Sequence, residues 1–87
     1  MVPSQLLEIQ EQLNDLGKNL IVDMRGAGQS AFLYICSNNR AAEVSMEGQG
    51  FFVEYWDESD EKSERESIRN EILYSIFEVK QNLMIWF

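Results

Sequence analysis

The residues best equipped for chemistry are acids and aromatics, and they crowd one stretch of the chain. Glu54, Asp57, Glu58, Asp60, Glu61, Glu64 and Glu66 follow one another closely, diluted only by Lys62 and Arg65. Three chemistries are open to such a run. It can be a solvated face whose later acids complement the positive end of a following helix. It can be a docking surface that steers a basic partner and imitates the spacing of phosphates. It can also supply oxygen ligands to calcium or magnesium through Asp57-Glu58-Ser59-Asp60-Glu61. That segment lacks the central glycine and the final glutamate spacing of a calcium-binding helix-loop-helix. No metal site and no cofactor are therefore assigned.

Just before the acids, Phe52, Glu54 and Trp56 alternate with Phe51, Val53 and Tyr55. In a strand these two sets occupy opposite faces. Aromatics in strands usually pack in a core, but both sets cannot be covered by a chain with few helices. One set is partly exposed or buried between copies. The cost of burying the Glu54 carboxylate favours its own set facing outward, but the sequence does not decide between the two sets on this strand. An acid flanked by exposed aromatics has the composition of an interface hot spot. The candidate partner-binding residues are thus Phe52, Glu54, Trp56, Asp57, Glu58, Asp60 and Glu61.

Catalysis is hard to assemble from the remaining residues. The chain has 87 residues, no His and one Cys. The commonest general base near neutral pH is missing, and Ser-His and Cys-His nucleophilic schemes are missing with it. Cys36 lies in an apolar run with nothing to activate it. Gly26-Ala27-Gly28-Gln29 lacks the Lys-Ser/Thr ending and the strand-to-helix setting of a phosphate loop, and reads as a turn between strands. Carboxylate pairs sit on a loop or an open face rather than in a pocket. No catalytic residue is assigned.

Charge narrows the partners. Fifteen Asp and Glu against seven Lys and Arg give a formal charge of −8, which opposes nucleic-acid phosphates and anionic lipid alike. No apolar stretch approaches the ~18 residues of a membrane span. Met1-Val2-Pro3-Ser4 shows no secretory pattern, and a lone cysteine suits a reducing compartment. The expectation is a cytoplasmic protein that binds neither nucleic acid nor membrane directly.

The elements that position these residues follow from periodicity. Leu6, Ile9, Leu13 and Leu16 form one helical stripe, with Ser4 as a candidate N-cap and Gly17 as a stop. The period then falls to two over Lys18–Arg25, Ser30–Cys36, Ala41–Glu47 and Phe51–Trp56. Ser37-Asn38-Asn39-Arg40 and Gly48-Gln49-Gly50 supply the later turns, and strands joined so tightly must form an antiparallel meander. Ala42, Val44 and Met46 point inward on the third strand, with Glu43, Ser45 and Glu47 outward. Ser63-Glu64-Arg65-Glu66 reads as a capping box that opens a second helix carrying Ile68, Ile72, Ile76 and Val79, broadened by Leu73 and Phe77. Asn82 is the candidate stop, and Leu83–Phe87 reads as a short last strand, with prolongation of the helix as the alternative. The predicted fold is one α+β domain, residues 1–87: helix, four-stranded antiparallel meander, helix, short C-terminal strand, with both helices on one sheet face.

In element order the chain resembles the small bacterial immunity proteins that neutralise secreted toxins, most nearly the group that guards against deaminase toxins. The residues behind this are Gly50-Phe51-Phe52-Val53 opening a strand, the amphipathic second helix and the Ile85-Trp86 ending. The resemblance spans the C-terminal half. It implies a non-catalytic inhibitor that occludes a toxin's active site or substrate channel with an acidic, aromatic surface, and it carries over no individual residue.

The functional expectation is a small acidic binding protein of the immunity or inhibitor kind. Its protein partner has a basic surface, as a toxin or nuclease-type enzyme would. The alternative is a structural or assembly protein that forms a homodimer or larger homo-oligomer through its sheet face and apolar C-terminus.

Overall fold

The computed structural model describes residues 2–16, 19–61 and 66–87. Helix α1 spans Ser4–Asn14. Five strands follow, β1 Ile21–Arg25, β2 Phe32–Ser37, β3 Arg40–Glu47, β4 Gly50–Asp57 and β5 Arg69–Leu73, and helix α2 spans Ile76–Trp86. The strands form one antiparallel sheet in the order β1-β2-β3-β4-β5. The α+β class, the meander and the two-helix layer are as expected; the sheet has five strands, and the last strand and last helix exchange places.

The core lies between the sheet and both helices. Leu6, Ile9 and Leu13 of α1 and Val79 and Leu83 of α2 are buried against Leu33, Ile35, Ala42, Val44, Phe51, Val53 and Tyr55. Each Leu, Ile, Val or Phe side chain among them contributes roughly 1.5–3 kcal/mol by leaving water. The alternation on β2, β3 and β4 places one apolar set on this face and sends the other to the far side, which no helix covers among the described residues.

The turns are set by local backbone chemistry. Asn38 takes φ 54° between β2 and β3, and Gly48 takes φ 60° between β3 and β4. These left-handed positions suit Asn and Gly and let two-residue turns join the strands. At α1, Pro3 rather than Ser4 is the N-cap, and Ser4 is the first helical residue, its hydroxyl donating to Gln5. Proline has no backbone N–H to leave unsatisfied, and its carbonyl accepts from the Leu6 and Leu7 amides. Gly17 lies outside the described residues.

The second helix begins later than its sequence pattern suggests. Ser63 lies outside the described residues, and Glu66 sits at a bend rather than in a first helical turn. The Ser-x-x-Glu sequence that caps α2 is Ser75–Glu78, where the Ser75 hydroxyl accepts from the Glu78 amide at 3.1 Å. Residues 69–73 pair with β4 instead, Arg69 opposite Tyr55 and Leu73 opposite Phe51. Two inward positions of β5 are charged. Glu71 accepts a hydrogen bond from the Tyr55 hydroxyl at 2.9 Å, and the Arg69 guanidinium lies 4.2 Å from the centre of the Tyr55 ring. Polar inward residues hide the strand's period of two.

Leu83–Phe87 is not a strand. Leu83 through Trp86 complete α2, and Asn82 does not stop the helix: its amide donates back to the Glu78 carbonyl at 2.8 Å. Arg40 helps to fasten this apolar ending. Its guanidinium lies 4.4 Å from the centre of the Trp86 ring and donates to the Trp86 carbonyl at 2.8 Å. A cation at the C-terminal end of a helix also complements its dipole. The Trp86 indole donates to the Ala41 carbonyl at 3.1 Å, and its ring meets Tyr55 edge-on at 5.2 Å. Phe77, expected to broaden the buried face, is 67% exposed.

Candidate functional site

The candidate site is the sheet face turned away from the helices. Its side chains fall into three rows that run across the strands, fixed by the register. The middle row is Asp23, Tyr34, Glu43, Glu54 and Asn70. On one side lie Arg25, Phe32, Ser45, Phe52 and Ile72. On the other lie Ile21, Cys36, Ala41 and Trp56. An acidic row thus runs between two rows rich in apolar groups.

Glu43 and Glu54 are directly opposite one another on β3 and β4. Like charges in this relation destabilise a sheet. Burial among its neighbours raises the Glu43 pKa, and the charge of Glu54 raises it further, against a smaller opposing effect of Arg25. Glu54 accepts a hydrogen bond from the Ser67 hydroxyl at 3.2 Å. Towards β1 the acidic row is balanced: Arg25 pairs with Asp23 at 3.7 Å and stacks 4.0 Å from the centre of the Tyr34 ring. Partial burial and the neighbouring Cys36 raise the Tyr34 pKa, so its hydroxyl stays protonated and can donate.

The seven residues singled out from the sequence divide into three groups. Phe52, Glu54 and Trp56 stand together on the open face, each half-buried by its neighbours. Asp57 has the opposite orientation. It joins Arg40 at 3.2 Å and accepts from the Ser59 amide at 3.0 Å and the Ser59 hydroxyl at 2.7 Å. Those Ser59 bonds, with Arg40 assisting, hold its carboxyl below the usual range. Asp57 therefore organises the turn. Glu58, Asp60 and Glu61 are exposed on that turn, beyond the Trp56 end of the open face. The turn is fastened by the Glu58 amide, which donates to the Asn39 carbonyl at 2.7 Å.

Sequence reasoning missed the other half of the site. Glu43 was legible as outward-facing, but its partner was not. The signal was the turn at Gly48-Gln49, which makes Glu47 face Gly50. Counting back along both strands from that pair puts Glu43 against Glu54. The Asn38-Asn39 turn places Tyr34 beside Glu43 by the same count. Ile72 joins the face only because residues 69–73 are a strand.

Among the described residues, no group of three or more His, Cys, Asp or Glu is arranged to hold a metal ion. No described helix is long and apolar enough to cross a membrane. Comparison with known proteins gave no matching family model, no matching curated protein and no matching solved structure.

Proposed function

We propose that this chain is a small, acidic, non-catalytic binding protein that engages a basic protein surface through the open face of its sheet. The observation that carries this reading is the facing pair Glu43 and Glu54, set between the apolar rows of Phe32, Phe52 and Ile72 and of Cys36 and Trp56. A fold gains nothing by aligning two carboxylates across a strand pair. A cationic partner recovers that penalty on binding, while the flanking aromatics supply buried area. The excess negative charge, −8 over the chain, speeds encounter with such a partner.

An immunity or inhibitor role in the cytoplasm is the form of this reading that joins it to the resemblance in element order. A toxin or nucleic-acid enzyme has a basic substrate channel, and an acidic face can occupy it. The test is capture of a partner from cells, followed by affinity measurements with the purified pair. Charge reversal by Glu43→Lys/Glu54→Lys should weaken binding by about 30-fold or more, the size of a hot-spot loss. Unchanged affinity would refute the open face as the binding surface.

A second reading, assembly with another copy, has its own observation. Tyr74, Phe77 and Ile85 are 70%, 67% and 80% exposed, on or beside the outer side of α2. Light scattering tests it. A mass of twice 10.1 kDa that reverts to the monomer in Ile85→Lys supports self-association through α2, and a monomeric wild type contradicts it.

A further inference from the structure

We infer that the partner element recognised by the open face is an α-helix carrying one basic stripe between two apolar flanks, lying across the strands along the acidic row. This rests on the reading of the open face as a binding surface and names the shape of what it binds.

The argument is one of width and direction. Residues on one face of a strand recur every second position, so each apolar row lies about 7 Å from the acidic row. The two apolar rows are therefore about 14 Å apart. A helix with its side chains is about 10–12 Å across. Seated over Glu43 and Glu54, it reaches Phe32 and Phe52 with one flank and Cys36 and Trp56 with the other. A single extended segment laid in that same direction, along the acidic row, is too narrow to meet both flanking rows, since neighbouring strands lie only about 4.8 Å apart.

The spacing along the row agrees. Glu43 and Glu54 sit on adjacent strands, about 5 Å apart between their β-carbons. Basic residues three or four apart on a helix have nearly the same separation, about 5–6 Å. Two successive Arg or Lys of one stripe can then each meet one carboxylate. Phe52 and Ile72 on one side, and Trp56 on the other, meet the apolar residues that border the stripe. A helix with the reverse order, apolar in the middle and basic at both edges, would bury the two carboxylates against hydrocarbon with no cation to pair them. The face selects the pattern as well as the charge.

Two peptides of identical composition, each locked as a helix by a side-chain staple, provide the test. One has arginines in a central stripe flanked by leucines; the other has the two classes exchanged. Binding is followed by backbone amide NMR shifts of the intact protein. The first peptide should bind at least ten-fold more tightly than the second, shifting Glu43, Phe52, Glu54 and Trp56, and Glu43→Lys/Glu54→Lys should abolish its binding. Equal affinities, or shifts confined to α2, would overturn the helical partner. So would failure of both peptides. If the peptides fail while a captured partner still loses affinity to Glu43→Lys/Glu54→Lys, the helix alone is refuted; if that partner is also indifferent, the open-face reading falls with it.

Discussion

Glu43 and Glu54 face each other across the β3–β4 pair on the side of the sheet that the helices leave bare. The arrangement works against folding and is maintained by the turn that sets the register. Its consequences are measurable in the protein alone, before any partner is known.

Replacing Glu43 with Gln should stabilise the protein at neutral pH. Burial and Glu54 raise the Glu43 pKa above its ordinary 4.5. The folded state therefore holds a proton that the unfolded chain has released, and stability falls as pH rises through the window above 4.5. Glu43→Gln removes that dependence. Its melting temperature at pH 7 should exceed wild type by about 2–5 °C, with the gain disappearing at or below pH 4.5. Calorimetry at several pH values measures both.

Asp57 should show the opposite sign. Its carboxyl is held below the ordinary 3.8 by Ser59 and Arg40. The stability it contributes is present above 3.8 and is lost as pH falls through its lower folded value. Asp57→Asn should lower the melting temperature at neutral pH, and the difference should close in acid. A constant difference across pH would assign the effect to packing rather than charge.

Arg40→Ala should loosen the end of α2. The change removes the cation over Trp86, the bond to the Trp86 carbonyl and the pairing with Asp57. A loss of about 1–3 kcal/mol follows from such contacts. Denaturant titration gives the number. Amide exchange should show the last turn of α2 opening first. Arg40→Lys should recover only part of the loss, because an ammonium cannot stack on the ring and bridge both acceptors as the planar guanidinium does.

Tyr55→Phe tests the link between β4 and β5. The hydroxyl donates to Glu71, and burial together with that bond pushes the phenol pKa up to about 12. Its removal leaves the Glu71 carboxylate without that donor, costing about 1 kcal/mol. Stability of the wild type should fall as pH rises from 10 towards 12, where the unfolded chain's phenol ionises and the folded one does not. The variant should lose this part of the alkaline decline.

The legible and hidden parts of the fold separate by physical cause. α1 and β2 through β4 could be read because their apolar residues follow one period and short turns join the strands. α2 and β5 were hard because Ile68, Ile72 and Ile76 recur every four residues while belonging to different elements, and because Arg69 and Glu71 occupy inward positions through their contacts with Tyr55. The ending Leu83–Phe87 is apolar in any register, and the contacts that fasten it as a helix, from Trp86 to Arg40, Ala41 and Tyr55, are long-range. For the site, composition pointed to Phe52, Glu54 and Trp56. Pairing register supplied Glu43, Tyr34 and Ile72, and no single strand contains that information.

The most direct measurement is the affinity of a captured partner for three proteins: wild type, Glu43→Lys/Glu54→Lys, and Phe77→Ser on the opposite side of the molecule. Binding through the open face predicts a loss of about 30-fold or more for the charge reversal and wild-type affinity for Phe77→Ser. Unchanged affinity for the charge reversal, with the loss appearing in Phe77→Ser, would place the interface on the helices and contradict the open face as the binding surface.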